Sequence, residues 1–204
     1  IDEAGFQKKF GAIFQHDYNV CNFDFSNQFT EGWSWTWQVQ RAKFDHVLAQ
    51  EVEKNGVEVE YESAITDIKF DESGKSTGTI ERSDGSGYEI EARYVVDGSG
   101  FGRVLPRLLD LDKPSEFPSR TSIFCHVKPK ELADSNERKQ IIIIVYTDDV
   151  WGWVIPFADG TSSIGIVGDI DGVNKYKGTP EEQMRQWIAE IPALRDRFTD
   201  CELV

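Results

Sequence analysis

The sequence predicts an α+β fold, an antiparallel sheet joined to part of an α/β layer. Three observations carry this. Residues 120–169 hold four apolar stretches separated by short turns. A helical stripe at 43–54 is followed by three strand-like runs. Residues 94–111 read as an apolar strand, a glycine-rich turn and a helix. At 204 residues the chain can bury one sizeable core, or parts of two.

The elements follow in order. Residues 11–18 and 20–25 read as short strands. Trp33, Trp35, Trp37 and Val39 alternate with Ser34, Thr36 and Gln38, so one face is aromatic and the other polar. Core packing is the expectation for these three tryptophans, with a pocket wall as the alternative. Phe44, Val47, Leu48 and Val52 make one stripe of a helix over 43–54, which Asn55-Gly56 ends. Strands follow near 57–70, 76–83 and 87–96, with turns at Asp71-Glu72-Ser73-Gly74 and Ser83-Asp84-Gly85-Ser86-Gly87. A calcium loop starting at Asp71 fails, because Lys75 and Ser76 stand where an oxygen ligand and a glycine are needed.

Residues 110–119, rich in proline and charge, read as a passage between domains. Strands near 120–128, 140–147, 150–157 and 162–169 form an antiparallel sheet, turned at Asp148-Asp149 and at Ala158-Asp159-Gly160-Thr161. Thr179, Pro180 and Glu182 fit the N-cap, N1 and N3 positions of a helix that runs through Met184, Trp187 and Ile188. A second short helix follows Pro192.

Two segments carry chemistry. In Trp151-Gly152-Trp153-Val154-Ile155-Pro156, alternation puts Trp151, Trp153 and Ile155 on one face and Gly152 and Val154 on the other. Such an indole wall either fills a core or lines a pocket for a flat, apolar ligand. In Tyr94-Val95-Val96-Asp97-Gly98-Ser99-Gly100-Phe101-Gly102-Arg103, a strand of buried character ends in an acid and a glycine turn. Backbone N–H groups there are able to approach phosphate, or the turn is a plain strand-to-helix link. A buried carboxylate beside phosphate would repel it, so Asp97 is expected to order the loop by accepting backbone N–H groups. Arg41 at a helix start opposes the helix dipole, which favours a phosphate or ligand role over a bare surface charge. Arg103 reads as a surface residue.

Together these segments resemble the FAD-dependent monooxygenase and reductase superfamily with the para-hydroxybenzoate hydroxylase fold. The flavin-dependent halogenases and geranylgeranyl reductase-like proteins are its most similar branch. The halogenase motif W-x-W-x-I-P stands intact at 151–156, and the superfamily motif D-G/A-S-G stands at Asp97-Gly98-Ser99-Gly100. Val39-Gln40-Arg41-Ala42-Lys43-Phe44-Asp45 resembles V-x-R-x-x-F-D, whose arginine reaches the flavin; Gly5-Phe6-Gln7-Lys8-Lys9-Phe10-Gly11-Ala12 is a weaker match to G-F-x-x-K-x-G-A. The likeness runs from about residue 5 to about residue 170. It implies an incomplete FAD/NAD(P)-binding-domain-like fold. Substrate-domain strands fall at 1–40, part of the FAD-binding domain at 41–118, the substrate-domain sheet at 119–178 and C-terminal helices at 179–204.

The resemblance implies FAD as cofactor, with Arg41, Asp97, Gly98, Ser99 and Gly100 on the cofactor side and Trp151, Trp153, Ile155 and Pro156 on the substrate side. In halogenases the W-x-W-x-I-P motif keeps the substrate apart from the flavin, so that hypohalous acid is the species that reaches it. The family's opening G-x-G-x-x-G is absent here, and Gly168-Asp169 does not read as its G-D-A-A-like motif. The chain is therefore read as an internal fragment, expected to be inactive alone. The catalytic lysine of halogenases would lie upstream, and no catalytic residue is assigned.

The net charge is −14, with 36 acidic against 22 basic residues, which disfavours nucleic acid and anionic membranes. No apolar run is long enough to span a bilayer. Cys21, Cys125 and Cys201 are far apart and odd in number, as free thiols in a reducing, cytoplasmic setting would be. His16, His46 and His126 have no ligand spacing around them, so no metal is expected. The reading is an FAD-dependent oxidoreductase, halogenase-like or monooxygenase/reductase-like, acting on an apolar or aromatic small molecule. Its electron donor would be NAD(P)H or a separate flavin reductase. A non-catalytic small-molecule-binding β-sheet domain without flavin is the alternative, and a purely structural piece a third.

Overall fold

A computed structural model describes residues 1–131 and 133–204. In chain order the elements are β1 (Gln7–Lys9), β2 (Gly11–His16), β3 (Asn19–Asp24), β4 (Thr36–Gln38), α1 (Arg41–Lys54), β5 (Ser63–Phe70), β6 (Ser76–Arg82) and β7 (Gly87–Ala92). Then come α2 (Val104–Leu108), β8 (Arg120–Lys128), β9 (Gln140–Val145), β10 (Val150–Pro156), β11 (Ser162–Asp169), α3 (Ile170–Val173), α4 (Pro180–Glu190), α5 (Pro192–Phe198) and β12 (Glu202–Leu203). They form two compact units, Ile1–Leu48 with Pro118–Val204, and Ala49–Phe117.

The first unit is built on a seven-stranded sheet of order β12-β8-β11-β10-β9-β2-β3. The four strands expected over 120–169 are its antiparallel centre, within two residues of the expected ends. The sheet is wider than expected, because β2 joins β9 in parallel and carries β3 with it. Tight turns set the register. The Asp159 carboxylate accepts from the Thr161 N–H at 3.0 Å and its hydroxyl at 2.7 Å, closing the β10–β11 link.

One face of this sheet makes the core. Val127, Ile142, Ile144, Val150, Val154, Ile164 and Ile166 pack with Met184, Trp187 and Ile188 of α4 and Leu194 and Phe198 of α5. Removing each such side chain from water contributes about 1.5–3 kcal/mol. The expected capping box fixes α4: Glu182 N–H donates to Thr179 Oγ1 at 3.3 Å, and Thr179 N–H to Glu182 Oε2 at 2.7 Å. Trp187 is fully buried, its Nε1 donating to Val173 O at 3.3 Å. The rings of Tyr146 and Tyr176 meet it edge-on. Lys175 lies 4.3 Å over the indole and reaches Glu190 at 2.6 Å, closing that end of the core with a paired cation.

The tryptophan run at 33–37 departs from expectation. Only 36–38 is strand, paired with β1, and burial does not follow the alternation: Trp35 and Trp37 are half-buried and Thr36 is exposed. Trp33 is 79% exposed while Gln38 is 3% exposed. A two-stranded ribbon has no second layer to bury large rings, so they cover one another instead. Trp33, Trp35 and Trp37 meet edge-on at 5.3 and 5.0 Å, and Lys8 Nζ sits 4.1 Å over Trp35. Helix α1 starts at Arg41, two residues before the expected start, and has no buried residue. Phe44 meets Phe6 at 6.0 Å, while Leu48 and Val52 are each 41% exposed.

The second unit is a β5-β6-β7 meander with α2 packed on β5. Ile68, Ser76, Gly78 and Ile80 are its buried residues. Residues 57–62, expected as strand, precede β5, and β7 ends at Ala92. The strand of buried character expected at 94–96 is absent, and Tyr94 and Val96 are 84% and 80% exposed. Apolar composition alone does not make a strand: among the described residues no neighbour offers this segment a ladder.

Trp187→Ala is expected to cost about 3–5 kcal/mol in urea unfolding. Trp33→Ala should stay within about 0.5 kcal/mol. Equal losses would contradict this placement of the core.

Candidate functional site

The side of the seven-stranded sheet opposite its helices is where β10 presents its tryptophans. Register makes one continuous row across six strands: Cys21, Phe14, Ile143, Trp153, Gly165 and Phe124 stand opposite one another in turn. A second row holds Val145, Trp151 and Val167. Phe14, Trp151 and Phe124 lie open, at 44%, 42% and 63% exposed, while Ile143, Trp153 and Val167 are half-buried and Gly165 is buried. An apolar surface of this breadth on one side of a sheet is a candidate for contact with a ligand or with another part of a protein.

Trp153 is held in one orientation. Its Nε1 donates to Ser163 Oγ at 3.1 Å. Its six-membered ring lies over Gly165, where an added Cβ would come within 2.3 Å of the ring. Phe124 and Trp151 flank it at 6.3 and 6.1 Å between centroids. Ser163 and Gly165 were not singled out in the sequence. The signal was present, since a glycine in a strand marks a close approach and the turn at 158–161 puts it opposite Trp153.

Of the expected substrate-side residues, Trp151, Trp153 and Ile155 share the open face. Pro156 does not: it alternates with Ile155 and lies buried on the core side with Val154. Its carbonyl accepts from Gln38 Nε2 at 2.7 Å. A cavity of about 620 Å³ is also on that side, between Pro156, Ser162 and α5. Among its charged groups, Arg197 pairs with Glu137, Lys130 with Asp200 and Arg195 with Asp196. The aromatic face is the better candidate for an apolar ligand, since it carries apolar side chains in continuous rows while the cavity is lined largely by charged ones.

Arg41 opens α1 with its side chain 78% exposed, paired to Asp45 at 3.1 and 3.0 Å. Hydrogen bonding to that carboxylate raises its pKa. Such an exposed, singly paired guanidinium is free to take a phosphate in place of Asp45.

In the second unit, Asp97 does what its position predicts. Oδ1 accepts from Ser99 N–H at 2.8 Å and Oδ2 from Leu105 N–H at 3.0 Å, while Ser99 Oγ accepts from Val104 N–H at 2.9 Å. Hydrogen bonds from the Ser99 side chain and backbone, then from Leu105, hold this carboxylate below its ordinary range. Gly98 and Gly100 have nothing within 4 Å of the Cβ they lack, and Gly100 sits at φ +55°. A preformed loop with bare backbone fits the approach of a diphosphate. Arg103 pairs with Asp112 at 2.5 Å. Among the described residues no three His, Cys, Asp or Glu side chains are grouped to hold a metal ion. No described helix is long and apolar enough to cross a membrane.

Comparison with known proteins gives the same direction. The family model described as "FAD dependent oxidoreductase" matches residues 24–200. The crystal structure of a flavoprotein/dehydrogenase from Cytophaga hutchinsonii is 46% identical, with a TM-score of 0.93 over 100% of this chain and 50% of that one. A 1H-pyrrole-2-carbonyl-(peptidyl-carrier protein) brominase of Pseudoalteromonas luteoviolacea is 28% identical over 100% of this chain and 49% of its own length. The fold also matches CmlS, a flavin-dependent halogenase, at a TM-score of 0.84 and 23% identity, over 100% of this chain and 37% of that one. The chain thus spans about half the length of the curated relatives it matches.

Two outcomes follow. Gly165→Ala should push the Trp153 ring off its seat, cost about 1–3 kcal/mol and change the near-ultraviolet circular dichroism. An unaltered spectrum at unaltered stability would contradict the contact. Because the Asp97 carboxylate titrates below its unfolded value, its contribution is present at neutral pH. It is lost as pH falls below about 4. Exchange protection of the Ser99 and Leu105 amides should fall with it, and Asp97→Asn should reproduce that loss at pH 7. Protection that survives both would refute the loop's dependence on Asp97.

Proposed function

This chain belongs to the FAD dependent oxidoreductase family, and from that premise we propose that it supplies the substrate wall and part of the cofactor contacts of a halogenase-like flavoenzyme acting on an apolar or aromatic small molecule. The observation that carries the reading is the row of open aromatic side chains centred on Trp153. The intact W-x-W-x-I-P sequence and the likeness to a brominase favour a halogenase over a reductase.

Each residue then has a stated task. Trp151 and Trp153 offer flat, apolar area that excludes water and orients a planar ligand. Ser163 and Gly165 hold the Trp153 ring in place. Arg41 would pair with a phosphate of FAD, and the backbone at Gly98, Ser99 and Gly100 would approach its pyrophosphate, with Asp97 keeping that loop in shape. When bound, FAD supplies the redox chemistry with reducing equivalents and oxygen. The electrons would come from NAD(P)H or a separate flavin reductase.

The test is the visible spectrum of the full-length protein after gel filtration. Flavin bands at stoichiometric level, and halide- and oxygen-dependent turnover of an aromatic substrate, are the expected results. Arg41→Ala should weaken FAD binding about tenfold, the effect of losing one charge-assisted pair. A folded, colourless protein that ignores added FAD would overturn the reading.

A further inference from the structure

Gln38 is the buried residue that the alternation of 33–39 placed on a polar, outer face. It is 3% exposed, and its Oε1 is enclosed with no partner. Enclosing an unmatched oxygen is unfavourable, so the amide must be compensated by what its N–H groups hold. Nε2 donates to Pro156 O at 2.7 Å, across 118 residues of sequence, and to Arg138 O at 3.2 Å. The β9–β10 ladder stops at Ile142 and Val154. Two residues further along β10, the Gln38 amide takes the Pro156 carbonyl that the ladder leaves behind.

A second tie lies beside the first. Gln40 Nε2 donates to Asp159 Oδ2 at 2.7 Å, on the same carboxylate whose Oδ1 closes the β10–β11 turn. Arg138 Nη2 reaches Phe157 O and Ala158 O, both at 3.3 Å, and so holds the same corner. Close packing does not do this work. A cavity of about 360 Å³ lies between Phe6, Gln38, Lys43, Phe157 and Asp159. Two glutamine side chains therefore span a loosely filled junction, and the residue after the second is Arg41.

We propose that Gln38 is a positioning residue that ties the end of the W-x-W-x-I-P strand to the segment opening α1, so that occupancy at Arg41 and the shape of the aromatic wall are coupled. This rests on the preceding reading of Arg41 and of the wall. A cofactor phosphate that draws Arg41 would pull on a chain anchored three residues away, and that anchor ends on the last residue of the wall strand. Coupling of this kind is reciprocal: a wall ligand would tighten FAD by the factor by which FAD tightens the ligand.

The test uses the full-length protein, FAD-loaded and FAD-stripped, with indole as the wall probe and calorimetry as the readout. In the wild type, loading with FAD should tighten indole by about fivefold or more. Gln38→Met keeps the length but removes the donor, and should bring that ratio to about one while indole still binds the FAD-stripped protein. Gln40→Ala, at a half-buried site that leaves the core untouched, should lower the ratio in the same direction and serves if the first variant does not fold. A ratio that both variants leave intact would overturn the proposal, and would mark Gln38 as a packing residue whatever it does to thermal stability. A wild-type ratio of one would overturn it too, with the wall and FAD assignments standing. Wild-type protein that binds neither FAD nor indole would sink the underlying reading along with it, a result already visible without any variant.

Discussion

Everything in the larger unit depends on the two-residue period of β10. Val150, Gly152 and Val154 point to the helices, and Trp151, Trp153 and Ile155 point away. A slip of one residue would bury the tryptophans against α4 and α5 and strip the core of its valines. Ile142 and Ile164 hold Val154 from either side, and the Asp159 turn fixes which residue of β11 meets which residue of β10. Burial on one face thus determines what is displayed on the other. The aromatic wall is the reverse side of the core.

The same partition explains why Trp153 sits as it does. An indole on a flat strand needs a place to lie, and Gly165 supplies it by having no side chain. Ser163, two residues away on the same strand, receives its N–H. The glycine loop of the second unit is built on another principle. The loop after residue 96 is ordered by one carboxylate that accepts from two backbone amides, so its glycines stay bare. In both places the residues that would touch a ligand are held by neighbours that would not.

How much of this could be read from the sequence varies with the kind of interaction. The strands of 120–169 and the capping box at Thr179 were legible because hydrophobic period, turn residues and caps are local signals. Residues 94–96 have strand composition but no described partner strand, and composition carries no information about partners. Core packing, with a pocket wall as the alternative, was expected for Trp33, Trp35 and Trp37; Trp33 is exposed and the other two are half-buried, because alternation shows that two faces differ but not how far each is covered. Trp151 and Trp153 were legible as a motif. Gly165 left a local signal, a glycine in a strand one tight turn from Trp153, whereas Gln38 left none, because its role exists only once distant segments come together. Pro156 shows the limit within one motif: its neighbour Ile155 lies on the aromatic face, and it does not.

The most direct test of the wall uses ¹⁵N-labelled indole nitrogens. The six tryptophans give six separate N–H signals, distributed between the wall, the outer ladder at 33–37 and the core. On titration with an apolar aromatic ligand, the account predicts that Trp151 and Trp153 shift in a saturable way, while Trp187 in the core and Trp33 on the ladder stay in place. Shifts confined to the ladder, or none at Trp151 and Trp153, would contradict the assignment of this face as the ligand wall.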